Sequence, residues 1–382
     1  MNMKDKPQII DLFCGCGGFG LGAELAGFHT VVAIDVDETL QSAYKKNFPK
    51  TKVLNADLSL MDREDWNEVL GESIANIDGV IGGPPCQGYS RMGTNDISDP
   101  RRLLLMDFYR HINILLPKFF IMENVEGLMD KKNISQLQDA IEILDSRYTI
   151  LEPSIIDASE YGAATKRKRV IVIGYDPERM QSIDLSDLTS RVCSPTTVKD
   201  AIEDIREPIK QSSNKKSYGW ASYRNKKNIS DYALRMRKLP PEGLGSEEAI
   251  EYLKKGKLSG HFETVHTEAV KFRYENTVQG TVDSVSRSKK LDWNGLCPTL
   301  RAGTGSDKGS HQAVRPIHPS VGRVISVREA ARLQGFPDWF CFHPTKWHSF
   351  RMIGNSVSPI VSEAILSVVF KAVKPQKIEI TG

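Results

Sequence analysis

Short apolar runs alternate with helix-length segments through the first 175 residues, and this alternation restricts the fold more than any other feature. Strands alternating with helices predict a parallel sheet covered by helices on both faces. We therefore predict an α/β fold with a doubly wound, mostly parallel sheet. Ligands of such sheets bind at the carboxyl ends of the strands, so residues that follow a predicted strand are the first candidates for chemistry. Strands are predicted over 9–13, 30–34, 52–54, 79–81, 119–122 and 170–174, and helices over 20–27, 39–48 and 103–116.

The regular pattern weakens after Pro177 and returns around 324–333, and a final apolar helix is predicted over 359–373. We predict one large domain over residues 1–190 and 323–382, interrupted by a smaller, irregular domain over 191–322. Residues 191–320 hold 23 Lys/Arg against 15 Asp/Glu, and 206–240 hold ten against two, mixed with aromatic residues. Such a mixture suits a nucleic-acid backbone and its bases, although a solvated basic surface has the same composition.

Two further features concern the cell compartment. No run of 18 apolar residues is present and the N-terminus lacks the apolar core of a secretory signal, so we expect neither a membrane span nor secretion. Six scattered cysteines do not make a disulfide framework, which favours a reducing interior. The expected location is the cytoplasm.

A glycine-rich turn follows the first predicted strand. Gly15, Gly17 and Gly20 fit G-x-G-x-x-G between a strand and a helix, which is typical of nucleoside-binding loops. Asp35 follows the second strand, twenty residues after Gly15, where a carboxylate can bind both ribose hydroxyls. Asp57, after the third strand, could accept a hydrogen bond from an adenine amino group. A dinucleotide oxidoreductase would show much the same loop, so the loop alone leaves the nucleoside open.

A cysteine lies in the loop after the fourth predicted strand, in the sequence Gly82-Gly83-Pro84-Pro85-Cys86-Gln87. A thiol beyond a strand and near a helix start experiences a positive backbone field that favours the thiolate. Most loop cysteines are inert, but the surrounding prolines and glycines favour a reactive one here.

Three charged residues follow or begin later strands. Glu123 comes directly after the strand over 119–122, where a carboxyl group in a partly closed site can act as an acid. Arg167 and Arg169 lead into the strand over 170–174, and alternation predicts that they lie on the same side. Two guanidinium groups there could hold a base carbonyl and a phosphate, whereas a plain basic edge is the alternative.

These pieces, in this order, resemble the cytosine 5-methyltransferase family over nearly the whole chain except the basic insert. The resemblance rests on six ordered blocks: Asp11-Leu12-Phe13 with Gly15, Gly17 and Gly18; Pro84-Pro85-Cys86-Gln87; Glu123-Asn124-Val125; Arg167 with Arg169; the run from Arg328 to Pro337; and Gly354-Asn355-Ser356-Val357 with Pro359.

The resemblance implies a Rossmann-like methyltransferase fold, S-adenosylmethionine as cofactor, and a cytosine flipped out of a DNA duplex. Cys86 would attack carbon 6 of the base, Glu123 would stabilise the ring at nitrogen 3, and Arg169, with Arg167, would hold the base oxygen and Glu123. No metal is expected. The implied cofactor residues are Phe13, Gly15, Gly17, Gly18, Asp35, Val36, Asp57, Leu58, Pro85, Leu104, Asn355 and Val357.

Three positions depart from the family pattern. The family often has Glu at the position of Asp35, a bulky residue at Val36 and Gln at Thr165. The shorter carboxylate could still reach a ribose, and adenine stacking on the side of Val36 would be weaker. None of the three removes a catalytic group.

The insert over 191–322 corresponds to the part of the family that reads the target sequence. Together with the loop after Cys86, it is expected to contact double-stranded DNA through Gln87, Ser90, Arg301, Lys308 and Arg315. The preferred interpretation is a monomeric DNA methyltransferase of bacterial restriction–modification type, with or without a cognate restriction endonuclease. The same chemistry on tRNA and a non-catalytic DNA-binding protein are the alternatives.

Overall fold

The apolar runs of the first half form one eight-stranded sheet in the computed structural model, which describes residues 5–85, 103–188, 195–211, 216–225, 227–302 and 315–373. Its strands are β1 (Gln8–Leu12), β2 (His29–Asp35), β3 (Lys52–Asn55), β4 (Ile77–Gly82), β5 (Phe119–Val125), β6 (Thr149–Ile150), β7 (Ser154–Asp157) and β8 (Lys168–Tyr175). A separate two-stranded sheet joins β9 (Ala221–Ser222) to β10 (Lys257–Leu258).

The strand order of the large sheet is β3-β2-β1-β4-β5-β8-β6, and β7 also pairs with β8. Strands β1 to β5 are parallel, whereas β8 runs antiparallel to β5, β6 and β7. The prediction of a mostly parallel α/β sheet is thereby confirmed. The order reverses between β1 and β4, and the crevice outside the carboxyl ends at such a reversal is where these folds bind ligands.

Twelve α-helices are assigned in the described residues. Several begin at the side-chain caps that their sequences supply: Asp37 accepts a hydrogen bond from the Leu40 N–H, and Ser326 and Glu329 form a capping box. The helices are α1 (Gly18–Ala26), α2 (Glu38–Asn47), α3 (Arg63–Leu70), α4 (Leu104–Leu115), α5 (Ile134–Glu142), α6 (Val198–Ile202), α7 (Asp231–Met236), α8 (Glu247–Lys254), α9 (Glu268–Asn276), α10 (Val327–Gln334), α11 (Lys346–Asn355) and α12 (Pro359–Val373).

The two faces of the sheet belong to two separate hydrophobic clusters. Along β5, Phe119 and Ile121 join one cluster, and Phe120 and Met122 join the other, because successive side chains of a strand point to opposite faces. Both faces of β5 are therefore buried, which explains why its sequence is continuously apolar rather than alternating.

Residues 346–373 are the one stretch within the described ranges that is apolar and long enough to cross a membrane by length and composition. Of its most apolar window, 61% is buried inside the protein, and α12 packs along α1. Ser362 of α12 donates a hydrogen bond to the Phe19 carbonyl at 2.7 Å, so α12 is a core helix of this fold.

The insert shares its core with the sheet. Val198, Ile202, Leu258 and Leu291 belong to the same hydrophobic cluster as Phe119. A smaller cluster joins buried Tyr274 of α9 to Ile317 and Val324. The division into domains at 191 and 323 stays a prediction.

Candidate active site

The turn after β1 contains three residues with left-handed backbone. These are Phe13 (φ 54°), Gly15 (φ 54°) and Gly17 (φ 96°), and the Cys14 N–H ties the turn to the Ile34 carbonyl at 2.9 Å. A left-handed conformation is uncommon for a bulky residue and tends to occur at functional sites. A Cβ on Gly15 would meet none of the described atoms within 4 Å, whereas one on Gly17 would lie 2.6 Å from a buried ring. The turn is thus open at Gly15 and tightly packed at Gly17.

Asp35 ends β2 and faces this turn. Its Oδ2 accepts a hydrogen bond from the Gly15 N–H at 2.9 Å, and its Oδ1 accepts one from the Asp37 N–H at 2.8 Å. Burial raises the pKa of the Asp35 carboxyl, and these two N–H donors oppose that rise. The next residue, Val36, is apolar yet 68% exposed. A fixed carboxylate beside an open glycine turn and an exposed apolar side chain suits a ribose and its base.

Asp57 and Leu58 follow β3. The exposed Asp57 accepts hydrogen bonds from the Ser59 N–H at 2.9 Å and the Ser59 hydroxyl at 2.7 Å. The buried Leu58 offers its carbonyl oxygen to Arg110 Nη2 at 2.7 Å and to His111 Nε2 at 2.8 Å. Two side chains of α4 therefore hold the turn on which Asp57 lies.

His111 was not among the residues predicted for the site. Its Nδ1 accepts a hydrogen bond from Trp66 Nε1 at 3.0 Å, so Nε2 has the proton that it donates to Leu58. Burial lowers the pKa of His111 to about 4, which keeps the ring neutral. The sequence offered no signal for this role, since His111 and Arg110 look like ordinary members of an amphipathic helix.

The other predicted cofactor residues end or begin the surrounding elements. Pro85 follows β4 and is half-buried, Leu104 begins α4, and Asn355 lies exposed at the end of α11. Val357 is buried, and a Cβ added to Gly18 would lie only 2.5 Å from the Val357 carbonyl oxygen. The start of α1 thus packs directly on the segment that joins α11 to α12.

Glu123 and Arg169 form an ion pair on adjacent antiparallel strands. Arg169 Nε lies 2.7 Å from Glu123 Oε1, and the two side chains are 17% and 9% exposed. The register sets Glu123 opposite Ile171 and Arg169 opposite Val125, a diagonal arrangement within reach of long side chains. A Cβ on Gly83 would lie 3.4 Å from Glu123 Oε2, so this carboxylate faces the backbone that precedes Cys86 by three residues.

Arg167 makes different contacts from Arg169. Its guanidinium is buried and donates to the Leu300 carbonyl oxygen at 3.3 Å and to the Gly354 carbonyl oxygen at 2.9 Å. These bonds connect the start of β8, the insert and α11. They suit a residue that positions Arg169 and Asn355 through the backbone.

The predicted DNA contacts are only partly within the described residues. Arg301 is exposed, while Arg315 is half-buried with its guanidinium 4.1 Å from the Phe350 ring, and burial lowers its pKa. Four candidates, Cys86, Gln87, Ser90 and Lys308, lie outside the described residues.

A family model for C-5 cytosine-specific DNA methylases matches residues 7–371, which is nearly the whole chain. The chain belongs to this family. It is accordingly an enzyme, a DNA (cytosine-5-)-methyltransferase, and the resemblance seen in its six sequence blocks is confirmed.

Named relatives of the methylase agree with this assignment. The type II methyltransferase M.XorII of Xanthomonas oryzae pv. oryzae is 39% identical over 97% of this chain and 87% of its own length. The type II methyltransferase M.DdeI of Desulfomicrobium norvegicum is 30% identical over 94% of this chain and 87% of its own length.

Solved structures resemble the methylase over the same extent. A crystal structure from E. coli, described as a DNA modification methyltransferase encoded within a prophage, has a TM-score of 0.85 at 40% identity and covers 96% of this chain and 99% of its own. The S. pombe Dnmt2 methyltransferase has a TM-score of 0.60 at 16% identity over 96% of this chain and 99% of its own, which shows the shared fold.

A buried ion network includes Arg332, which lies in the sequence block from Arg328 to Pro337. Arg332 of α10 binds Asp338 through Nε at 2.6 Å and Nη2 at 2.7 Å, and binds Asp204 of the insert at 3.1 Å. Arg237 Nη2 donates to the Asp204 carboxylate at 2.6 Å, and the Tyr223 hydroxyl donates to the Asp338 carboxylate at 2.6 Å. Burial alone would raise the pKa of Asp338, but Arg332 outweighs it and holds that pKa below its usual range. This network joins α10 to Asp204, Tyr223 and Arg237.

Proposed function

We propose that the methylase transfers a methyl group from S-adenosylmethionine to carbon 5 of a cytosine that is flipped out of a specific duplex sequence, through a covalent bond to Cys86. The observation that carries the proposal is the Glu123–Arg169 pair at 2.7 Å, next to the Gly83-Pro84-Pro85 backbone that leads to Cys86. A buried acid fixed by a guanidinium, facing the backbone three residues before a cysteine in the sequence, suits this chemistry.

The described residues at the carboxyl ends of β1, β2 and β3 fit S-adenosylmethionine. Asp35 keeps unused lone pairs on both oxygens after accepting from Gly15 and Asp37, and these suit the ribose hydroxyls. Phe13 and exposed Val36 offer apolar contact to an adenine, and Asp57 accepts from its amino group. Gly18, Leu58, Pro85, Leu104, Asn355 and Val357 would complete the wall. The bound cofactor would supply an electrophilic methyl group.

On the side of the base, Cys86 thiolate would form a bond to carbon 6 of the ring. Glu123, held by Arg169, would donate or share a proton at ring nitrogen 3 and offset the charge that develops there. Carbon 5, which gains electron density in this way, would bond to the methyl carbon while the methyl–sulfur bond breaks and S-adenosylhomocysteine leaves. Loss of the carbon 5 proton to a base then returns the electron pair and expels the Cys86 thiolate. Arg167 would keep β8 and α11 in place through its bonds to Leu300 and Gly354.

We propose that double-stranded DNA binds along the insert and the loop after Cys86, with Gln87, Ser90, Arg301, Lys308 and Arg315 as candidate contacts. The relatives with type II names support a place in a restriction–modification pair with a cognate endonuclease. A single flipped base needs a single active site, so we propose a monomer that works in the bacterial cytoplasm.

The test uses tritiated S-adenosylmethionine with either duplex DNA of mixed sequence or total tRNA. Label in DNA that disappears in Cys86→Ala supports the proposal, and bisulfite sequencing of the product gives the recognition sequence. Label in tRNA alone, or duplex binding with no label in either nucleic acid, would contradict it. Cys297→Ala is the matched control, because Cys297 is a buried cysteine whose pKa burial raises to about 12.

A further inference from the structure

Exposed apolar side chains are concentrated in one part of the insert. Of the thirteen large hydrophobic residues that are exposed among those described, five lie between residues 265 and 285. Isolated exposed apolar residues are ordinary, but a short segment with five of them is a candidate for contact with a partner. The five are Val265, Phe272, Val278, Val282 and Val285, which are 47% to 78% exposed.

Residues 283–288 of this segment form a hydrogen-bonded loop. Val282 and Lys289 form an antiparallel bridge at its base, and the Asp283 N–H donates to the Ser288 carbonyl at 2.8 Å. The buried Asp283 carboxylate accepts from the Ser286 N–H at 2.6 Å and from Arg273 Nε of α9 at 2.8 Å. A loop fixed from inside by a buried acid presents its tip in one defined conformation.

Arg287 at the tip is held in a strained conformation. Its φ is 60°, in the left-handed region that glycine favours, and its N–H donates to the Asp283 carbonyl at 3.0 Å. Its side chain is exposed, as are those of Ser284 and Val285. Glycine would adopt the same backbone conformation without strain, so an exposed arginine at this position points to a use for its side chain.

The base of the loop is tied to a small core of its own. Lys290 donates from Nζ to the Tyr274 and Glu275 carbonyls at 2.9 Å each, at the end of α9. Tyr274 in turn packs with Ile317 and Val324. The base of the loop is therefore bound to α9 and its small core, and the exposed tip takes no part in that packing.

We infer that the 283–288 loop reads base edges in the major groove of the target duplex and that Arg287 selects a guanine. This inference rests on the proposed action on duplex DNA. An arginine can donate two hydrogen bonds to guanine O6 and N7, and an apolar side chain such as Val285 can contact a thymine methyl group. A preorganised loop loses little conformational entropy on binding.

Charge favours DNA over a second protein chain as the partner. Outside the buried Lys290, residues 278–290 hold Arg287 and Lys289 against a single acid, Asp283, whose charge is paired with Arg273. A positive, partly apolar tip complements the phosphate backbone and the groove.

The test compares the sequence preference of the wild type with those of Arg287→Ala and Arg287→Gly on a random-sequence duplex library, read by bisulfite sequencing. We expect both variants to lose discrimination at one guanine position by roughly 5- to 150-fold, the range that follows from about 1–3 kcal/mol for a bidentate contact. Arg287→Gly should keep or raise the melting temperature, because it relieves the strain, so a loss of specificity cannot be ascribed to unfolding. Arg63→Ala, an exposed arginine of α3, is the matched control and should change nothing.

Two results would overturn the inference. One is a variant with the same sequence preference and duplex affinity as the wild type. The other is a change in oligomeric state on Arg287→Ala or Val285→Asp with unchanged specificity, which would make the surface a protein interface. Failure of the proposed function has a different readout: the wild-type protein would leave no methylated cytosine in DNA. Fluorescence anisotropy with a labelled duplex still measures the role of Arg287 in binding in that case.

Discussion

Arg351 of α11 forms an ion pair with Asp37, the residue that caps α2. Asp37 is also one of the two backbone donors to Asp35, at 2.8 Å, so the ion pair fixes the carboxylate proposed to hold the ribose. Arg351 and Asn355 lie one turn apart on the same helix. The contact links two parts of the proposed cofactor site that are more than 300 residues apart in the sequence.

The first prediction concerns this ion pair. Arg351→Ala should raise KM for S-adenosylmethionine by about tenfold, an effect of roughly 1.4 kcal/mol on a half-buried charged hydrogen bond, while KM for DNA stays the same. Steady-state kinetics with each substrate varied in turn measures the difference. Arg235→Ala breaks another long-range ion pair, to Glu363, and serves as the control. Equal changes in both KM values would show that Arg351 acts on the whole fold instead.

The second prediction concerns Glu123 and Arg169. Glu123→Gln should lower kcat by at least about a hundredfold, the usual contribution of a positioned acid, without weakening duplex binding. Arg169→Lys should lose most of the activity too, because a lysine cannot reproduce the Nε contact at 2.7 Å. Single-turnover methylation and anisotropy, on the same duplex, separate the two effects. Wild-type rates in Glu123→Gln would remove this residue from the mechanism.

The third prediction concerns the buried ion network. Asp204→Ala leaves the guanidinium groups of Arg332 and Arg237 without one carboxylate, and breaking a buried pair in this way costs about 3–5 kcal/mol. Chemical denaturation should show that loss. Glu251→Ala, which breaks the exposed pair with Lys255, should leave stability nearly unchanged, because water and salt screen an exposed pair. A small effect of Asp204→Ala would mean that the insert is anchored mainly by its apolar core.

The fourth prediction is a pH dependence at Asp11. This residue is buried behind the glycine turn, accepts a hydrogen bond from the Tyr44 hydroxyl at 3.1 Å, and burial raises the pKa of its carboxyl to about 8. The folded state then binds a proton that the unfolded state has released, so stability falls as pH rises from about 4 to about 8.

The pKa of His111 and that of His318 are lowered to about 4, so these two residues oppose this slope between about pH 4 and 6.5. Between pH 6.5 and 8 both are neutral in the folded and in the unfolded state, and they no longer contribute. Asp11→Asn retains the shape of the protonated acid and should flatten the decline in that window. Unfolding midpoints at several pH values give the comparison, with Asp78→Asn of the half-buried Lys118 pair as control. Parallel curves for wild type and Asp11→Asn would contradict the prediction.

The sequence determined the order and type of the elements. Apolar runs of four to eight residues between helical patterns are enough to specify buried strands, since a strand covered on both faces has no polar alternative. The predicted strands match β1 to β5 and β8 within a few residues, and the predicted helix over 359–373 matches α12. Phe13 to Gly18, Asp35, Glu123 and Arg169 could be picked out for the same reason: each directly follows or begins such a strand.

Tertiary structure decided what those side chains touch. Arg167 and Arg169 look equivalent in the sequence, yet one binds the carbonyl groups of Leu300 and Gly354, and the other binds Glu123. The partners of Arg167 are 133 and 187 residues away, and no local pattern encodes such a contact. His111, Arg351 and the left-handed Arg287 were missed because their roles arise from packing between elements distant in the chain. Periodicity records which side of an element is buried, whereas hydrogen-bond partners depend on how whole elements pack in three dimensions.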